Sequence, residues 1–155
     1  MVIKIGPSGG ISGGAVNDTL YHAAPGLSDI WLGWDDAIIS IGLTWSDGDN
    51  NFNYGGSNPC ADSINIDVRN KRLSRILGFV GWWNGFTVIK SMRFQFTDGW
   101  DTQWLGSVGS KPPYFTSPVL PFEYDVPLGL GLIGFFGNTG AVMDQIGFKF
   151  DDLPY

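Results

Sequence analysis

Few residues in this chain are of types that do chemistry, and their spacing narrows them further. The single His22 has no companion cysteine and no motif-level serine, so neither a nucleophile–base pair nor a metal-ligand cluster can be drawn around it. Cys60 is the lone cysteine; it cannot form an internal disulfide, has no partner at metal-ligand spacing, and reads as an inert, packed thiol. Asp35 and Asp36 offer two carboxylates, but consecutive strand residues point to opposite faces, which does not suit an acid and a base acting on one bond. These absences argue against an enzyme, and no cofactor is implied. What remains is Gly140-Ala141-Val142-Met143-Asp144. Gly140 tolerates a positive φ, so the N–H groups of Ala141, Val142 and Met143 can turn toward one point beside the Asp144 carboxylate. That is a fixed acceptor next to several donors. Taken alone, however, the pattern is also that of a solvated carboxylate at a strand start, and its meaning rests on the elements that position it.

Those elements are strands. Apolar residues alternate with small or polar ones in Ala37-Ile39-Ile41-Leu43-Trp45, Ile64-Ile66-Val68, Phe86-Val88, Met92-Phe94-Phe96 and Ile146-Phe148-Phe150, and period two predicts strand. No window carries a capped helical stripe, and 23 glycines and 9 prolines interrupt the chain too often for long helices. Its 155 residues suffice for one domain, 1–155, with a core that needs no disulfide or metal. Charged residues make up only 15%, and the net charge of -6 comes with scattered lysines and arginines, which excludes nucleic acid as a natural partner. The longest apolar stretch, Leu128 to Phe136, is too short to span a bilayer as a helix, and the N-terminal residues lack a secretory signal pattern. The expectation is no membrane insertion and a location in the cytoplasm, or release without a signal peptide.

The strands repeat. Ile41-Gly42-Leu43-Thr44-Trp45, Met92-Arg93-Phe94-Gln95-Phe96 and Ile146-Gly147-Phe148-Lys149-Phe150 are three versions of one pattern. The first two run into Asp47-Gly48 and Asp98-Gly99 turns, and seven residues later each reaches a glycine, Gly55 or Gly106. The third has no such continuation, but Val2-Ile3-Lys4-Ile5 followed by Gly6-Pro7-Ser8-Gly9-Gly10 supplies a strand and a glycine loop from the other end of the chain. Three sheets of about four strands with pseudo-threefold symmetry, the termini paired in one of them, make a β-prism. A β-sandwich gives no reason for a threefold pattern split in this way. In this alignment Ile39 and Lys90 occupy the positions equivalent to Asp144.

Four segments resemble the jacalin-related lectins: Ile5 to Gly14, Gly78 to Met92, Trp104 to Gly109 and, most specifically, Leu132 to Gly147. The first departs from the family pattern in having Ser8 where an aromatic residue is common and in being one residue longer. The resemblance implies a β-prism I of three four-stranded antiparallel sheets and a single sugar site formed by the Gly-x-x-x-Asp element, Gly140, Ala141, Val142, Met143 and Asp144, together with Gly14 of the first glycine loop. Phe86 matches the position from which family members pack a side chain against the sugar ring, and Trp83 lies in the same loop. Residues 1–13 remain attached ahead of Gly14, which by resemblance favours mannose or glucose over galactose.

The chemistry agrees with that resemblance. Adjacent pyranose hydroxyls each donate and accept, so a carboxylate flanked by backbone amides can hold a pair of them, while an aromatic side chain covers the apolar ring face. Desolvation offsets most of the gain, and the expected affinity for a monosaccharide is about millimolar, on the order of -4 kcal/mol. So weak a site implies a homodimer or tetramer that gains avidity. A second site beside Gly55 requires Asp35 or Asp36 to reach it. The rival readings are a galactose-type lectin and a protein-interaction or storage module on the same fold.

Overall fold

A computed structural model describes residues 2–11, 13–15, 27–45, 51–106 and 120–152. The period-two patterns become strands, with Ala37 and Val68 just beyond the ends of theirs, and no helix occurs among the described residues. One sheet joins β3 (Leu27–Trp34), β4 (Ile38–Trp45), β5 (Asn51–Gly55) and β6 (Asp62–Asp67) in the order β5-β4-β3-β6. A second joins β7 (Leu73–Trp83), β8 (Phe86–Phe96), β9 (Leu105–Gly106) and β10 (Leu120–Asp125) in the order β10-β7-β8-β9. The third combines β11 (Leu130–Thr139) and β12 (Met143–Asp152) with β1 (Ile3–Gly9) and β2 (Gly14–Ala15), in the order β1-β12-β11-β2. Each sheet is a long antiparallel hairpin flanked by the two strands that follow it, except that the strands following the last hairpin come from the N-terminal end. The register shows the equivalence residue by residue, since Ser40 pairs with Gly55, Ser91 with Gly106 and Gln145 with Gly9. The Asp98-Gly99 turn forms as expected, with the Gly99 amide donating to the Phe96 carbonyl at 3.1 Å; its counterpart at Asp47-Gly48 lies outside the described residues.

Each hairpin also contains the same irregularity. The register shifts between Gly33 and Trp34, between Phe79 and Val80, and between Asn138 and Thr139, which leaves Ile39, Lys90 and Asp144 without a cross-strand partner. These are β-bulges, which re-aim a side chain and bend the strand. They correct the simple alternation expected for Ala37-Ile39-Ile41: the residues facing the main core are Ile38 and Ile41, Ile89 and Met92, Met143 and Ile146, with one extra residue inserted in each pair. That core is filled by Trp45, Phe94, Phe96, Phe135, Phe148 and Phe150 with aliphatic neighbours. Each such large side chain contributes about 1.5–3 kcal/mol on burial.

The offset created by the bulges sends Ala37, Ile39, Val88 and Val142 into a separate small apolar cluster, against which Cys60 and Trp83 pack. Ala37, Val88 and Val142 occupy one position in the three repeats, so this cluster ties the three hairpin ends together. The glycine loops close the same end. Gly10 donates its amide to the Asp144 carbonyl, and Gly56 donates to the equivalent Ile39 carbonyl, each at 2.8 Å. The bulged Lys90 reaches instead to the Asp36 carbonyl in the neighbouring hairpin turn.

Candidate functional site

Asp144 sits at the bulge of the third hairpin, 5% exposed, with its carboxylate lodged among glycines. A β-carbon on Gly13 would stand 2.6 Å from Asp144 Oδ2 and 2.6 Å from the Thr139 carbonyl, and Gly13 has φ +82. Only glycine meets both demands. A β-carbon on Gly140 would lie 3.4 Å from the same carboxylate oxygen and 3.7 Å from the Gly13 α-carbon, whereas one on Gly14 would meet nothing within 4 Å among the described residues. Gly14 pairs with Thr139 through β2, so the first glycine loop is held alongside the hairpin end that carries Asp144. The carboxylate thus has glycine on two sides.

Burial pushes the Asp144 carboxyl above the ordinary carboxylate range, with its own backbone N–H partly opposing that shift. Asp101 shows the contrasting case. Its hydrogen bonds from Arg93, together with weaker ones from the Gln103 amide and Gln95, bring it down to about 2. An acid held by an arginine is tied up structurally; Asp144 has no cation beside it among the described residues, and its oxygens retain capacity to accept.

The turn before Asp144 is closed by a hydrogen bond from the Gly140 amide to the Val142 carbonyl at 3.0 Å. Gly140 does not take the positive φ expected for it; near the carboxylate that conformation belongs to Gly13. The Val142 and Met143 side chains are buried, one in the small cluster and the other in the main core, so both can serve a ligand only through their backbone. The amides of Ala141 and Val142 donate to no acceptor among the described residues.

The second hairpin brings its tip to the same end. Trp83 pairs with Phe86 across Asn84 and Gly85, whose φ values of 52 and 85 give a two-residue turn of the mirror-image kind suited to twisted strands. Phe86 is 47% exposed and Trp82 51%, so neither is core, while Trp83 is half-buried against the small apolar cluster. Gly10 links this hairpin to the site: its amide holds the Asp144 carbonyl, and a side chain on it would overlap the Thr87 carbonyl. Thr87, the chain neighbour of Phe86, thus lies against the glycine loop that holds the Asp144 carbonyl.

Several sequence candidates lie elsewhere. Asp35 and Asp36 are exposed in the turn between β3 and β4, not in a strand, and the bulge position that holds a carboxylate in the third repeat holds the buried Ile39 there. His22 falls outside the described residues. Cys60 is half-buried, its thiol pushed up by burial. No group of histidine, cysteine and acidic residues suited to a metal occurs among the described residues. Sequence reasoning missed Gly13, whose only signal was being the first of two glycines.

Comparisons with known proteins identify the family of the chain. The family model of the jacalin-like lectin domain matches residues 5–149, and the chain belongs to that family. It is 28% identical over 159 residues to horcolin from Hordeum vulgare, covering 94% of each chain. It is 27% identical over 161 residues to the mannose/glucose-specific lectin of Parkia platycephala, covering 99% of this chain and 33% of that lectin. Among solved structures it is similar to a mannose-specific jacalin-related lectin from Morus nigra in complex with mannose, at 26% identity and a TM-score of 0.73, covering 97% of this chain and 94% of that one. The fold is the β-prism of the jacalin-related lectins.

Proposed function

We propose that the protein is a non-catalytic lectin that holds one pyranose of a mannose- or glucose-containing glycan against Asp144. The observation that carries this reading is the Asp144 carboxylate itself, buried at a bulge with glycine on two sides and, among the described residues, with no cation beside it and no acceptor for the amides of the turn before it. Asp144 accepts hydrogen bonds from two adjacent hydroxyls, the amides of Gly14, Ala141 and Val142 return donors, and the backbone of Gly140 and Met143 frames them. Phe86 covers the apolar face of the ring, and Trp83 holds its hairpin in place from the inner side. The choice of mannose or glucose is supported by the names of the Parkia and Morus relatives. A single site of about millimolar strength gains from a second copy by roughly 10²–10⁴ in avidity, so the working form is a homodimer or tetramer whose interface leaves the Asp144 end open.

Titration calorimetry with methyl mannoside, methyl glucoside and methyl galactoside tests the reading. Binding of the first two and its loss in Asp144→Ala is the expected result. Preference for galactoside overturns the specificity, and unchanged binding by the variant overturns the site.

A further inference from the structure

The turn that precedes Asp144 is held from outside its own sheet. Ser57 donates its amide to the Gly140 carbonyl at 2.9 Å, and Asn58 donates to the Ala141 carbonyl at 3.0 Å. Gly56 approaches so closely that any β-carbon there would overlap the Ala141 carbonyl and crowd the Val142 α-carbon. All three residues belong to the loop after β5, in the first repeat's sheet. In a trans peptide the N–H points opposite to the C=O. Capturing the carbonyls of Gly140 and Ala141 from the loop side therefore turns the amides of Ala141 and Val142 away from the loop, and those amides have no acceptor among the described residues. Pro59 adds stiffness, since the residue before a proline is confined to extended backbone.

We infer that the loop Gly56-Ser57-Asn58 is a positioning element for sugar binding: it touches no ligand, but aims the Ala141 and Val142 amides that do. This rests on the proposed function and extends it to a part of the chain that in the first repeat would otherwise serve a second site. The arrangement also explains why a glycine loop survives there although its own bulge residue is Ile39. Its service is to the neighbouring repeat.

The test compares Gly56→Ala with Gly55→Ala. The second variant sits at the end of β5, next to that loop, and is also intolerant, because its β-carbon would overlap the Ser40 side chain, but it does not touch the turn before Asp144. Methyl mannoside affinity from NMR titration and the melting temperature are measured for both. Gly56→Ala should weaken binding by about tenfold or more through misaligned Ala141 and Val142 amides, with the resonances of those amides displaced in the free protein, while Gly55→Ala at a comparable loss of melting temperature keeps its affinity. Equal affinity in Gly56→Ala and wild type overturns the inference, and so does a loss that follows melting temperature alike in both variants. If Gly56→Ala does not fold, Asn58→Pro decides, since it removes the donor to Ala141 and confines the backbone of Ser57, the other donor to the turn: a loss of about two- to tenfold is expected for the missing hydrogen bond alone, and no loss overturns the inference. A wild-type protein that binds no glycan overturns the proposed function and this inference with it, whereas a wild-type protein that binds and variants that bind equally well overturn this inference alone.

Discussion

Gly13 and Asp144 are in such close contact that the α-carbon of the first caps the carboxylate of the second, leaving 2.6 Å between Oδ2 and any β-carbon placed on Gly13. A side chain there must displace either the carboxylate or the glycine loop, and φ +82 adds backbone strain of about 1–3 kcal/mol. Gly13→Ala is expected to lower stability by that order in urea melts and to abolish sugar binding. Gly14→Ala, which meets no atom within 4 Å of its β-carbon, should leave the fold intact and obstruct only the ligand.

Asp144 is a buried acid with no cation beside it among the described residues, so its charge burdens the fold, and in the proposed site that burden is the cost of binding. Asp144→Asn should bind no methyl mannoside measurably, since hydrogen bonds to a carboxylate contribute about 1.5–3 kcal/mol each. Its melting temperature should equal or exceed that of the wild type, as is common for residues retained for function. A clear fall in melting temperature would show that the carboxylate stabilises the fold instead.

The pH dependence follows from the direction of the Asp144 shift. Its folded-state carboxyl lies above the ordinary range, so on acidification the native protein takes up this proton before the unfolded chain does. Stability then rises as pH falls through the folded-state value, by the linkage between proton uptake and folding. Sugar binding runs the other way and is lost over the same window, at a higher pH than for an ordinary carboxylate. Asp101, held down at about 2, works in the opposite sense, and its contribution is lost at lower pH. Subtracting the pH–stability curve of Asp144→Asn from that of the wild type isolates the first effect.

The exposed aromatics separate binding from folding. Phe86→Ala should reduce mannoside affinity several-fold, roughly 0.5–1.5 kcal/mol for one aromatic contact, without changing the urea midpoint, because Phe86 is 47% exposed. Trp83→Ala should cost stability as well, because it uncovers the cluster formed by Ala37, Ile39, Val88 and Val142.

The threefold arrangement was legible in the sequence because each repeat carries its own copy of the strand pattern, and the equivalence of Ile39, Lys90 and Asp144 holds in the register of all three hairpins. The bulge was less visible. Its signal is the three-residue spacing of core positions, Ile38 to Ile41, Ile89 to Met92 and Met143 to Ile146, which a period-two reading absorbs into ordinary alternation. The role of Gly13 and the hold of Ser57 and Asn58 on the turn were not legible, because they depend on which loop leans on which neighbour. That is set by the closure of the prism and not by any local pattern.

The pairing of β1 with β12 has a consequence for when the protein acquires its activity. The first two sheets are each built from consecutive chain, so their contacts can form as the strands become available, but the third unites the first strands of the chain with the last. Contacts between segments so far apart in sequence carry the largest loop-closure cost and form late. Gly13, Gly14 and Asp144 all belong to that third sheet or its edge. A partly folded molecule with two finished sheets therefore lacks the proposed sugar site altogether, and on that proposal binding itself reports that both ends of the chain have come home.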